Sequence, residues 1–279
     1  MPGDTLIWLD GTEASALPLP DRGLDFGDGV FETLLARHGE PLYLDLHLAR
    51  MLRGCEVLAL PDCETNVRRH LQTATSAIAN QGWQWASLRI TLSRGAGPRG
   101  YAPPTKTRPR IVISATRLDT FSPNMAAPAA LHLANMRWAT QPALAGLKHL
   151  NRLEQVLAAA EYGAAGLDEA VMLDQTGRVI SVVAGNLFVV SDDEILTPEL
   201  ENCGIDGTRR ELVMRRWAPN LGLAVRECAL SIGQLEEADE VFYSNSLVGL
   251  RSVARFGRRR WSAHTICNAL YRQYREELT

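Results

Sequence analysis

Only two lysines, Lys106 and Lys148, stand among 27 arginines in this 279-residue chain. Where a plain positive charge would serve, the sequence uses arginine. A guanidinium stays protonated and is no nucleophile, whereas an ε-amine can lose its proton, attack a carbonyl and form a Schiff base. Lys106 lies in a polar, proline-studded stretch at 103–109 and reads as solvated surface. Lys148 lies in Ala145-Gly146-Leu147-Lys148-His149-Leu150-Asn151-Arg152, where a small-residue turn is expected to run into a helix. The positive end of a helix beginning near His149 would disfavour the ammonium form by about 0.3–1 kcal/mol. A lysine at a helix start is ordinarily a surface residue, and the scarcity of lysine elsewhere is what singles out Lys148.

Other motifs offer less. Gly95-Ala96-Gly97-Pro98-Arg99-Gly100 has the spacing of a dinucleotide fingerprint and follows an expected strand. That fingerprint needs a helix to start within it, so that free amides can hold a pyrophosphate. Pro98, Pro103 and Pro104 forbid one here, so the segment reads as a substrate-side loop whose Arg94, Arg99 and Tyr101 suit carboxylates. There is no nucleophile elbow, P-loop or HExxH, and the six histidines lack metal-ligand spacing, so no metal is expected. The runs Arg258-Arg259-Arg260 and Arg215-Arg216 are too short for a nucleic-acid footprint.

The elements that must position Lys148 follow from periodicity. Apolar residues are 46% of the chain, enough for one large or two modest cores, and the net charge of −3 implies no attraction to nucleic acid or membrane. Five cysteines without a CxxC pair, a start lacking a basic leader and the lack of a membrane-length apolar run point to a cytoplasmic protein. Strands are expected at 6–9, 30–36, 41–44, 87–93 and 111–115, and helices at 46–60 and 65–80. The Pro-, Ser- and Asn-containing stretch 119–128 reads as a linker between a domain at 1–118 and one at 129–279. Beyond it, strands are expected at 130–138, 169–173, 178–183, 187–190 and 241–244, with helices at 149–161, 208–217 and from 263. Strands and helices do not alternate regularly, which favours an α+β fold.

With Lys148 at the centre, the segment through Asn151-Arg152-Leu153-Glu154-Gln155-Val156 resembles the cofactor-lysine segment of the 4-amino-4-deoxychorismate lyases. These form a branch of the fold-type IV pyridoxal-phosphate family, beside branched-chain and D-amino acid aminotransferases. Asp21-Arg22-Gly23 with Phe26-Gly27-Asp28-Gly29-Val30-Phe31-Glu32-Thr33 looks like the family's early signature. His47-Leu48-Ala49-Arg50 is similar to its phosphate-contacting helix, and Ser93 to Tyr101 to the lyases' glycine loop. Ala184-Gly185-Asn186-Leu187-Phe188, Gly204-Ile205-Asp206-Gly207-Thr208 and Tyr243-Ser244-Asn245-Ser246 complete the series. The resemblance covers nearly the whole chain.

It implies two domains, a smaller N-terminal one and a larger C-terminal one carrying Lys148, with pyridoxal 5'-phosphate at their interface. Lys148 would bear the cofactor. Arg50, Gly207, Thr208 and Ser246 would hold its phosphate, and Asn186 would lie near it. The implied reaction eliminates pyruvate from 4-amino-4-deoxychorismate to give 4-aminobenzoate for folate biosynthesis. Lys148 would act as base, and Thr33 or Lys148 as the acid for the leaving group. Arg94, Arg99 and Tyr101 would face the substrate, and the chain would form a homodimer.

One position departs from the family. The glutamate usually found five residues before the motif asparagine, where it pairs with the cofactor's ring nitrogen, is Ser181 here. A carboxylate keeps that ring a strong electron sink, whereas a serine permits a neutral ring. This tilts the reading toward an elimination ending in an aromatic product and away from transamination. An aminotransferase of the same fold is the alternative, and a non-catalytic binding protein retaining the fold is a more distant one.

Overall fold

Two alternating segments, 85–93 and 110–117, build the centre of the first sheet in the computed structural model, which describes residues 4–192 and 194–278. The first three residues, part of the stretch read for a leader, lie outside the described ones. Strand β1 (Thr5–Leu9) and β2 (Thr12–Glu13) are followed by a short helix α1 (Arg22–Phe26), β3 (Gly29–Arg37) and β4 (Glu40–Pro41). Helices α2 (Leu44–Val57) and α3 (Glu64–Asn80) lead to β5 (Trp85–Ser93) and β6 (Arg110–Arg117). The sheet runs β2-β1-β6-β5-β3-β4. Val30, Leu34, Leu88 and Ile90 from its strands share one core with Leu48 and Met51 of α2 and Leu71 and Ile78 of α3. Gly54 permits the helix–sheet approach, since a Cβ there would meet Val30 Cγ1 at 2.8 Å.

A second compact unit begins at Ser122. Its strands are β7 (Ala129–Arg137), β8 (Glu169–Leu173), β9 (Val179–Val182), β10 (Asn186–Ser191), β11 (Glu194–Pro198), β12 (Val225–Cys228), β13 (Glu240–Asn245), β14 (Gly249–Phe256) and β15 (Arg259–Arg260). The order is β12-β11-β10-β13-β14-β7-β8-β9, with β15 on β14. Helix α4 (Leu153–Ala164) follows β7. Helix α5 (Thr208–Leu212) continues through a π-helical turn (Val213–Trp217) and Ala218–Asn220, and α6 (Ile232–Glu237) and α7 (Thr265–Leu278) complete the unit. Val171 and Leu173 of β8 enter one core while Ala170 and Met172 enter another, so both faces of that strand are covered. Parallel pairs (β7 with β8, β14 with β7, β11 with β12) mix with antiparallel ones, as an α+β fold allows.

Several expectations shift. Lys148, expected in the C-terminal domain, clusters with the first unit, which takes residues up to Phe121 and then Leu147–Asn151. The expected helix start at His149 is instead extended chain. The Phe31 amide donates to the Lys148 carbonyl (2.9 Å) and the Leu150 amide to the Gly29 carbonyl (3.0 Å), a short antiparallel addition to β3. The helix begins four residues later, at Leu153, so its dipole does not act on Lys148 in the manner expected. Residues 22–26, which lie outside every expected element, form a turn of helix. The Asp21 side chain caps it by accepting from the Gly23 and Leu24 amides, and Gly27 at φ 65° ends it. The segment 41–44 is mostly not strand, because Tyr43 turns the chain directly into α2. Strand β14 lies outside the expected strands because Arg251 and Arg255 interrupt its apolar pattern. Arg251 is held at the side by the Ala127 carbonyl (2.7 Å) and Asp168 (2.9 Å).

Candidate active site

Alternation along β3 sorts its side chains between the two faces of the first sheet. Val30, Glu32 and Leu34 point into the core beneath α2; Phe31 and Thr33 point the other way. Lys148, hydrogen-bonded through its carbonyl to Phe31, lays its Nζ over the Phe31 ring, 4.3 Å from the centroid. A second cation uses the same ring. The Arg89 guanidinium lies 3.9 Å from that centroid, and Arg89 is the β5 residue paired with Thr33. Arg89 is exposed and has no acidic partner among the described residues. Lys148, Thr33 and Arg89 therefore share a sheet face with Phe31, an amine, a hydroxyl and an unpaired guanidinium suited to an anionic substrate.

Arg50 belongs to the opposite face. Its Nε donates to Glu32 Oε1 at 2.8 Å and its Nη2 to Oε2, and the His47 Nδ1–H donates to the same Oε2 at 2.7 Å. Burial alone would raise the Glu32 carboxyl, but the Arg50 and His47 partners outweigh it and hold it at about 2. The Nε–Nη2 edge of Arg50 is thus gripped by a carboxylate, which fixes the orientation of the guanidinium.

Arg94 is also engaged within the protein. It is buried, donating from Nε to Asp28 (2.7 Å), from Nη2 to the Leu58 carbonyl (2.6 Å) and from Nη1 to the Ala59 carbonyl (3.3 Å). Arg22 binds the same Asp28 oxygen at 2.8 Å and donates to the Gly100 and Tyr101 carbonyls at 3.0 and 2.8 Å. Burial would raise Asp28, but its two arginines outweigh that and hold it below the usual carboxylate range. The glycine segment is a loop with no helix, which removes the dinucleotide alternative. Gly95, at φ 78°, lies so close to the Arg108 carbonyl that a Cβ would collide with it. Arg99 is exposed on this loop, and Tyr101, 86% exposed, packs its ring 5.4 Å from Phe26.

The second unit gathers the other expected residues. Asn186, at the start of β10, donates from Nδ2 to the Ile205 carbonyl at 2.8 Å. Its Oδ1 lies where a Cβ on Gly207 would fall, so Asn186 and Gly207 fit only as a pair. This pins the loop that opens α5 at Thr208, a helix start of the kind that can receive an anion. Arg209 ties the same helix to the Ser246 carbonyl at 3.3 Å. Ser181 on β9 is buried, and its Oγ accepts a hydrogen bond from Trp138 Nε1 at 3.0 Å. On the paired strand β8, the buried Glu169 accepts from the Ala170 (3.0 Å) and Ala184 (3.2 Å) amides. Burial pushes that carboxyl up, the amides offset part of the rise, and it stands at about 7.

Arg89, Glu32, Arg22 and Trp138 are the residues the linear sequence does not single out. In an alternating strand, Arg89 looks like any solvated position, and only the shared Phe31 ring reveals its neighbour. Glu32 and Arg22 stand inside recognisable motifs without a visible role.

Known proteins resemble this chain along nearly all its length. Residues 29–256 match the family model described as amino-transferase class IV. The aminodeoxychorismate lyase of Vibrio harveyi is 33% identical over 259 residues, covering 89% of this chain and 90% of the relative. The crystal structure of 4-amino-4-deoxychorismate lyase from Pseudomonas aeruginosa superimposes with a TM-score of 0.87 at 38% identity, over 98% of this chain and 99% of that one. A branched-chain amino acid aminotransferase from T.th., complexed with N-(5'-phosphopyridoxyl)-L-glutamate, gives 0.85 at 25% identity, over 100% and 94%. This chain belongs to the amino-transferase class IV family.

Proposed function

We propose that this chain eliminates pyruvate from 4-amino-4-deoxychorismate to give 4-aminobenzoate, a step toward folate, using pyridoxal 5'-phosphate bound through Lys148. The observation that carries the reading is the sheet face bearing Lys148, Thr33 and an unpaired Arg89, combined with the similarity to lyases over nearly the full chain. The residues also suit the cofactor: an amine for the aldehyde, an anion seat at Gly207-Thr208 shaped by Asn186, and a buried hydroxyl at Ser181.

When bound, the cofactor supplies an electron-withdrawing ring conjugated to the substrate's nitrogen. The chain's own residues do the rest. Lys148 would hold the cofactor, and its amine, once free, would remove the proton from the substrate's ring carbon 4. Thr33, on the same face, supplies a proton to the departing enolpyruvyl oxygen, or Lys148 returns the one it took. Arg89 meets a substrate carboxylate, and Arg99 and Tyr101 on the loop meet the other. Arg94 holds the base of that loop rather than the substrate. Phosphate contacts are assigned to the Gly207 and Thr208 amides, to Ser246 and to Arg50, whose guanidinium Glu32 orients.

The same reading makes the chain a cytoplasmic homodimer. All five cysteines are free thiols, which supports a reducing compartment. No helix among the described residues is long and apolar enough to cross a membrane. Leu153, Val156 and Leu157 form an exposed apolar stripe on α4, which supports self-association.

Replacing Lys148 by alanine tests the core of the reading. The variant is expected to lose both the visible absorbance of covalently bound cofactor and the release of pyruvate; release at the wild-type rate would refute it. Similarity to the branched-chain aminotransferase supports a second reading, amino exchange on the same fold. Incubation with an amino acid and a 2-oxo acid separates the two, since exchange without pyruvate elimination selects the aminotransferase.

A further inference from the structure

We propose that Trp138 fixes the Ser181 hydroxyl as a hydrogen-bond donor, directed at a cofactor ring nitrogen that keeps its lone pair. This rests on the pyridoxal-phosphate reading above and deepens it by assigning the protonation state that this chain imposes.

The geometry begins with what each group can do. An indole N–H only donates, so in the 3.0 Å contact with Trp138 the Ser181 oxygen must accept. A hydroxyl has a single proton, and that proton then has to point elsewhere. Among the described residues no acceptor takes it, although Ser181 is only 3% exposed. A buried donor of this kind is costly unless a ligand atom accepts from it. The partner it selects is an acceptor, such as an unprotonated pyridine nitrogen; a pyridinium N–H could only take the oxygen's second lone pair and would leave the buried hydroxyl proton with no acceptor.

Trp138 cannot readily give up this role. Its amide donates to the Leu173 carbonyl (2.9 Å) and its carbonyl accepts from Gln175 Nε2 (3.1 Å). The Arg152 guanidinium stacks on its ring at 5.6 Å, and the ring is buried. The buried carboxylate of the paired strand, Glu169, is committed to the Ala170 and Ala184 amides. Trp138 is thus a positioning residue, acting through Ser181. A ring nitrogen with its lone pair intact draws electrons less strongly than a pyridinium. That suffices for an elimination driven by aromatisation and works against amino exchange.

The test is nitrogen NMR of holoenzyme reconstituted with pyridoxal phosphate carrying 15N in the ring. Wild type should show the resonance of a hydrogen-bonded but unprotonated pyridine across neutral pH. Ser181→Ala should move it further from the pyridinium position, and Trp138→Phe should move it in the same direction, with cofactor retention weakened roughly tenfold. Ser181→Asp should bring it to the pyridinium position. A pyridinium resonance in wild type overturns the proposal while leaving cofactor binding intact. So does a Trp138→Phe variant that melts lower with an unmoved resonance, because Trp138 would then be structural only. Failure of wild type to bind the labelled cofactor at all overturns the pyridoxal-phosphate reading itself, a result distinct from either.

Discussion

Arg89 and Arg94 lie on and just beyond one strand, yet they are in different chemical situations. Arg94 spends its donors on Asp28 and two carbonyls, whereas Arg89 lies over the Phe31 ring that also carries Lys148 and makes no hydrogen bond or ion pair among the described residues. Arg89→Gln should therefore raise KM for the substrate with little change in melting temperature. A charged hydrogen bond of about 1.5–3 kcal/mol corresponds to roughly 10- to 100-fold in kcat/KM. Arg94→Gln should instead lower the melting temperature, and steady-state kinetics with thermal melts on both variants separate the roles. Glu169 makes a prediction in pH. Its folded value of about 7 lies above the ordinary 4.5, so between those values the folded state holds a proton that the unfolded state has released. Stability must then fall as pH rises from about 4.5 to 7 and level off above. At about 1.4 kcal/mol for each tenfold change in proton affinity, the fall is up to roughly 3 kcal/mol. Denaturant titrations of Glu169→Gln across this range should lack that slope.

At the scale of elements, the controlling contact is helix α2 against strand β3. Gly54 is a poor helix former, and alanine would ordinarily improve a helix interior by about 1 kcal/mol. Here its Cβ would press on Val30 Cγ1 at 2.8 Å, and β3 is the strand that bears Phe31 and Thr33 on one face and Glu32 on the other. Overpacking of about 1–3 kcal/mol should outweigh the propensity gain. Gly54→Ala is thus expected to melt lower than wild type and to bind substrate less well; a variant more stable than wild type would contradict the packing argument. The addition of residues 148–150 to β3 belongs to this scale too. It places Lys148 by backbone hydrogen bonds on an extended segment, where the helical periodicity that includes Leu150 suggests a helix start. The apolar spacing is real, but the helix it belongs to starts at Leu153.

For the whole molecule, the exposed stripe on α4 bears on assembly. Leu153, Val156 and Leu157 are 77%, 60% and 52% exposed and recur at helical spacing on one face. Charging that face with Leu153→Glu and Val156→Glu should convert the proposed dimer to monomer in sedimentation velocity. The monomer's own melting should change little, since neither side chain belongs to its core. A variant that sediments as a dimer would remove α4 from the interface.

The order of motifs made the family legible in the linear chain and the irregular alternation of strands and helices the α+β class, while lysine scarcity singled out Lys148 and the glycine-loop prolines excluded a helix there. Those features are local, being choices of residue type and short-range conformational limits that hold whatever the rest of the chain does. Tertiary structure alone decided which arginine stands beside Lys148, which carboxylate grips Arg50, and which N–H occupies Ser181. Arg89 and Phe31, Arg22 and Gly100, and Trp138 and Ser181 are all distant along the chain, yet each pair meets because strand register or loop closure sets it there. Register depends on the burial of whole sheet faces, a cooperative property of many residues, and no single segment encodes it.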